Sequence, residues 1–126
     1  MDYMFLMYTN GKTMADSAPE QLQQQIDVHC GIINDAQSRG VFKGASPLLP
    51  VSTAVTVRSA QGKVAITDGP FAETKEILGG YYLIDCKDGE EARYWATRLA
   101  ETGCASAVEF RALASMPEPM QLAVNA

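Results

Sequence analysis

Two stretches of this chain are apolar on both faces of an extended backbone, and that restricts the fold more than any other feature. Residues 3–9 (YMFLMYT) and 79–86 (GGYYLIDC) carry β-favouring apolar side chains at odd and even positions alike, which is the pattern of strands covered on both sides. A sheet built on such strands needs a layer over each face. Two helical segments supply one of them. Ser17-Ala18-Pro19-Glu20 has the spacing of a capping box with proline in the first turn, and it predicts a helix over about 19–39 that Gly40 stops. Asp88 and Glu91 repeat the pattern before a second helix over 89–101, with Ala92, Trp95, Ala96 and Leu99 as its buried stripe and Gly103 at its end.

The middle of the chain reads as a hairpin. Residues 53–58 (TAVTVR) and 63–68 (KVAITD) both alternate, with Ala60-Gln61-Gly62 as the turn between them. Val64, Ile66 and Asp68 share one face of the second hairpin strand, which predicts a core-facing Asp68 just as the strand ends. Residues 40–44 form a short connection or strand, 46–50 a loop bracketed by two prolines, and 107–113 a last strand. The order is β-α-β-β-α-β, an α+β antiparallel sheet with both helices on one face. All of this falls in a single domain over 1–113, with 114–126 as a tail, loose or docked on a partner subunit. The face without helices would remain broadly apolar in a monomer, so a homodimer stacked through the open sheet face is expected.

Composition narrows the partners. Ten basic residues stand against fifteen acidic ones, for a net charge of -5, and no Lys/Arg cluster could follow a phosphate backbone, so no nucleic-acid partner is expected. The first apolar run is too short to span a membrane and follows Asp2 where a secretory signal would carry positive charge, which predicts no membrane partner and a cytoplasmic location. Cys30, Cys86 and Cys104 are widely spaced with one histidine in the chain, a pattern of reduced thiols with no metal site. No phosphate-binding glycine loop or nucleophile elbow is present, so no cofactor is expected. Cofactor-free acid-base chemistry, or binding of a small molecule, remains.

On a helical wheel, Leu22, Ile26, Cys30, Ile33 and Ala36 form one stripe, with His29 near its middle and Val28 and Ile32 outside its centre. The only histidine therefore points toward the sheet. Two readings stay open for it. In one, His29 is a general base and Asp68 orients it, fixing its tautomer and raising its basicity. In the other, His29 is a hydrogen-bonded core histidine and Asp68 a turn-former in Asp68-Gly69-Pro70. Glu73 and Lys75, in a charged run that begins like a helix, would line the mouth of the same cleft, with Lys75 receiving an anion. Tyr82 could supply a phenol, and an inward Arg58 or Arg111 would meet a carboxylate.

The segments "YMFLMY", "TAVTVRSAQGKVAITDGPFAETKEILGGYYLID", "EEARYWATRLA" and "AVEFRAL", in this order and spacing, resemble the YCII-related family, in particular its DGPF branch, up to about residue 113. The resemblance implies a ferredoxin-like fold that dimerises as an α/β barrel, and a His-Asp pair in a cleft beside the sheet. His29 matches the helix position of the family histidine, and Asp68 is the acid of the DGPF motif. One branch of the family is similar to dehydrochlorinases of aromatic degradation, and DGPF relatives are often encoded beside extracytoplasmic-function sigma factors. Two classes of function follow. One is a small isomerase, lyase or hydrolase acting on a small polar or aromatic molecule, and the other a metabolite-binding or regulatory module linked to such a sigma factor.

Overall fold

A computed structural model describes residues 1–117. Strand β1 (Asp2–Thr9) pairs antiparallel with β5 (Ile77–Asp85) on one side and β6 (Ala107–Ala112) on the other, and β2 (Phe42–Pro47) adds to the outer edge of β5. The sheet order is β2-β5-β1-β6. With helix α1 (Pro19–Ser38) between β1 and β2 and helix α2 (Gly89–Glu101) between β5 and β6, this is the ferredoxin-like β-α-β-β-α-β topology, an α+β fold. The two strands that are apolar on both faces are the two central ones, as their patterning requires.

One core holds the layers together. Phe5 and Met7 from β1 and Tyr82 and Ile84 from β5 meet Ile32 and Ala36 of α1 and Ala92, Trp95, Ala96 and Leu99 of α2. Both helices therefore cover the same sheet face. Trp95, Phe5, Ile84 and Leu99 are fully buried, and each such side chain contributes about 1.5–3 kcal/mol on leaving water. Asp88 caps α2 by accepting a hydrogen bond from the Glu91 backbone N–H at 2.9 Å. Helix α1 starts differently from the capping box read in its sequence. Its N-cap is Ala18, without a side-chain cap, and Pro19 opens the first turn, while the Ser17 hydroxyl instead accepts from Gln25 at 3.1 Å.

The hairpin is where structure and sequence diverge. Strands β3 (Val55–Ala60) and β4 (Lys63–Asp68) pair as expected, with Gln61 and Gly62 at positive φ in the turn, but they form a separate sheet of their own. The outer neighbour of β5 is instead β2, drawn from the stretch read as a short connection or strand and from the start of the proline-bracketed loop. Consequently the face carrying Val64, Ile66 and Asp68 is not a core face: Val64 is 66% and Ile66 70% exposed. Alternation correctly put these residues on one side, and the sheet that would have covered that side is elsewhere. The proposed tail role lies mostly outside the described residues.

Candidate functional site

A cavity of about 260 Å³ opens between α1 and the helix-facing side of the sheet. Its floor comes from the strand alternation. Tyr82 shares its face with Ile84 on β5, and Thr9 continues the line of Phe5 and Met7 on β1. Two glycines make the room. A Cβ on Gly80 would stand 2.9 Å from the Ser46 carbonyl oxygen, and one on Gly79 would stand 3.0 Å from the Thr9 methyl group. Only a residue without a side chain lets β2 approach β5 this closely. The α1 wall presents Gln25, Ile26, His29 and Cys30, and Cys104 lines the cavity as well.

His29 is half-buried there, with Nδ1 2.6 Å from the Tyr82 hydroxyl and the two rings stacked at 5.7 Å and 29°. Burial pulls the imidazole below its usual value of 6.5, so it is neutral at neutral pH. Burial pushes the Tyr82 phenol up, helped by the nearby Cys104 and Cys30 thiols, so the phenol keeps its proton. The pair therefore has two arrangements. With the Tyr82 O–H donating to Nδ1, Nε2 carries the ring proton and is a donor. With Nδ1–H donating to the Tyr82 oxygen, Nε2 is a free base and the phenol O–H is free to donate to another group.

Around the pair stand further polar groups. The Thr9 hydroxyl is buried with no hydrogen-bond partner among the described residues. Thr13, 3% exposed, is held by Asp16, whose Oδ2 accepts from the Thr13 backbone N–H at 2.9 Å and from its hydroxyl at 3.1 Å. Among the described residues, no group of three or more His, Cys, Asp or Glu side chains could hold a metal ion.

Of the residues singled out from sequence, His29 and Tyr82 come together and the others do not join them. The hydrogen bond of His29 goes to Tyr82 and not to Asp68. Asp68 sits at the end of β4 opposite Val55 and does not line this cavity. Glu73 lines a second cavity of about 310 Å³ beside Gly69, Pro70 and Thr74. Lys75 lies in an exposed, irregular segment where a short helix was expected, and it lines neither cavity. Arg58 does not face a ligand site either: its Nη2 donates to the Phe71 carbonyl at 2.8 Å and its guanidinium lies 4.9 Å over the Phe71 ring. Arg111 pairs with Glu109 on the same strand at 3.0 Å.

Sequence reasoning passed over Thr9, Thr13 and Gln25. Two signals were there to find. Thr9 has the parity of Phe5 and Met7, and Thr13-Met14-Ala15-Asp16 has capping-box spacing.

The YCII-related domain matches residues 1–113 of this chain, and the chain belongs to that family. An uncharacterised protein of Rhizobium meliloti (strain 1021) is 49% identical over 53 residues, a segment that spans 42% of this chain and 43% of that protein. Among solved structures, the chain is similar to the 5-chloro-2-hydroxyhydroquinone dehydrochlorinase of Burkholderia phenoliruptrix AC1100, in complex with 2,5-dihydroxybenzoquinone, at 12% identity and a TM-score of 0.47 over 92% of this chain and 96% of that one. It is also similar to CutA of Xylella fastidiosa, at 14% identity and a TM-score of 0.40 over 97% of this chain and 91% of that one.

Proposed function

We propose that this protein is a cofactor-free acid-base enzyme, an isomerase, lyase or hydrolase of a small, partly apolar molecule, and that His29 and Tyr82 are its reacting pair. The 2.6 Å contact between a neutral imidazole and a protonated phenol on the wall of a cavity carries the reading. A substrate seated beside the pair would lose a proton to His29 Nε2 while the Tyr82 O–H stabilises the negative charge that develops on a neighbouring oxygen. Apolar neighbours such as Met7, Ile26 and Ile33 suit a ring or short carbon skeleton, and the unpartnered Thr9 hydroxyl offers one further polar contact. In this proposal Tyr82 takes the place first given to Asp68 beside His29. Glu73, Lys75 and Arg58, read from sequence as substrate-binding, have no part in it.

Deuterium exchange tests it. The purified protein is incubated in D2O with a panel of enolisable carbonyl compounds and hydroxylated aromatics, and incorporation is followed by NMR. The expected result is catalysed exchange into at least one compound, lost in both His29→Asn and Tyr82→Phe. Exchange that persists in His29→Asn would refute the assignment. A compound that raises the melting temperature without exchanging would support the other class instead, a metabolite-binding module using the same cavity. In that reading, the link to a sigma factor would pass through ligand occupancy of this cavity. The proposal also includes a homodimer through the open sheet face, where Met4, Leu6, Tyr8, Tyr81 and Leu83 are only half-buried.

A further inference from the structure

Among the described residues the β3–β4 hairpin pairs only with itself, and a two-stranded hairpin without a packing partner is marginal in water. One of its faces is nonetheless built like a core face. Val57 stands opposite Ile66, Val55 opposite Asp68 and Val64 opposite Ser59, so Val55, Val57, Val64 and Ile66 form one apolar patch at 59–70% exposure. The hairpin is joined to the turn that follows it. The Gly69 N–H donates to the Ala54 carbonyl at 2.8 Å, the Thr56 hydroxyl to the Gly69 carbonyl at 2.8 Å, and Arg58 to the Phe71 carbonyl. These bonds tie the segment after β4 back onto β3.

Surface area points to what covers it. The chain exposes 8638 Å². Allowing the residues beyond 117 the full area of an extended chain, about 1,400 Å², leaves the described residues roughly 1,000 Å² above the surface of a compact chain of their mass. A stable protein interface removes about 800 Å² from each partner, so the excess matches one such interface. Among the described residues, no helix or strand covers a second apolar face, the open side of the sheet. The open sheet face carries one ion pair, Arg111 opposite Met4 with Glu109 opposite Leu6, at 3.0 Å, and the Arg111 side chain is 76% exposed, so its guanidinium stays open to a further carboxylate such as Asp68 on the hairpin's apolar face.

From these observations we infer that the hairpin is a dimerisation arm, whose apolar face lies on the open sheet face of a second copy of this chain while that copy returns its own arm. The inference rests on the homodimer proposed above and names the element that makes it. The arrangement is isologous, so each patch is used once per subunit and the assembly closes at two. Asp68 then meets Arg111 of the other copy, which gives the DGPF acid a role in assembly.

Light scattering at micromolar concentration tests it. The wild-type protein should be a dimer, and the double variant Val57→Lys/Ile66→Lys should be a monomer at the same concentration, with at least a hundredfold weaker association. Both positions are exposed in the single chain, so the variant's circular dichroism should match that of the wild type. Asp68→Arg and Arg111→Asp should each weaken the dimer, and combining them should restore it. A wild-type monomer would overturn both this inference and the homodimer itself. A dimer unaffected by the lysines would overturn the arm and leave the homodimer standing. Dissociation by the lysines without rescue by the charge exchange would overturn the seating of the arm on the open face.

Discussion

If His29 and Tyr82 share a direct hydrogen bond, their contributions to stability must be coupled, and a double-mutant cycle reads that coupling without knowledge of any substrate. Tyr82→Phe removes one hydroxyl and keeps a ring that is 3% exposed, so it leaves no cavity. Its effect is that of the lost bond, about 1 kcal/mol. His29→Ala removes the same bond together with the stacked ring contact at 5.7 Å, for a loss of about 1–2 kcal/mol. The double variant loses the bond only once, so it should be less destabilised than the sum of the single variants by about 0.5–1.5 kcal/mol. Urea denaturation at pH 8, where the imidazole is neutral in both folded and unfolded chains, measures all four corners. With an m-value of about 1.5 kcal/mol/M, a coupling of that size appears as a midpoint discrepancy of roughly 0.3–1 M. Additivity within about 0.3 kcal/mol is what independent sites give, and finding it here would refute the bonded pair and the acid-base reading that depends on it.

Two further outcomes follow from the same geometry. Gly80→Ala places a Cβ 2.9 Å from the Ser46 carbonyl oxygen and should destabilise the protein by about 1–3 kcal/mol by forcing β2 away from β5, whereas Gly44→Ala, which meets nothing within 4 Å, should show no such loss in urea denaturation. Folding lowers the pKa of His29 below its unfolded value of 6.5, so as pH falls through 6.5 the unfolded chain takes up the proton first and stability drops; chemical denaturation at several pH values should show this decline below 6.5 in the wild type and a shallower one in His29→Asn.

Much of the fold was legible because it rests on local signals. The two central strands, the hairpin turn, the Asp88 cap and the Ala92–Leu99 stripe each follow from alternation, capping or helical spacing within a few residues. Strand β2 was legible only as one of two readings of residues 40–44, because Phe42-Lys43-Gly44-Ala45-Ser46-Pro47 has neither a clean alternation nor β-branched side chains. It pairs with β5 because Gly80 lets its backbone approach, a property of the partner strand. The wheel of α1 likewise located His29 on the inner side but treated the whole stripe as packed. Ala36 of that stripe is buried, as is Ile32, which the wheel set outside its centre, while Ile26 and Cys30 border the cavity. Periodicity reports which side chains share a direction. It carries no information on whether that direction meets protein or an opening.

The same distinction explains Asp68, and it separates the two roles that the DGPF segment could have had. A carboxylate on the apolar side of a strand reads as a buried catalytic acid only if that side faces the chain's own core. Here β4 pairs with β3 alone, so the side shared with Val64 and Ile66 faces outward, and His29 satisfies its Nδ1 with a phenol from the central sheet instead. Gly69 keeps a structural task at φ 106°, a conformation that favours glycine, and through it the segment after the hairpin returns to Ala54 and Thr56. An apolar hairpin face with one acid at its end, exposed at 59–70%, has the composition of an interface with a single polar anchor. The cavity and the motif that marks the sequence thus belong to different parts of the molecule, the one to the helix-covered side of the sheet and the other to the end of the β3–β4 hairpin.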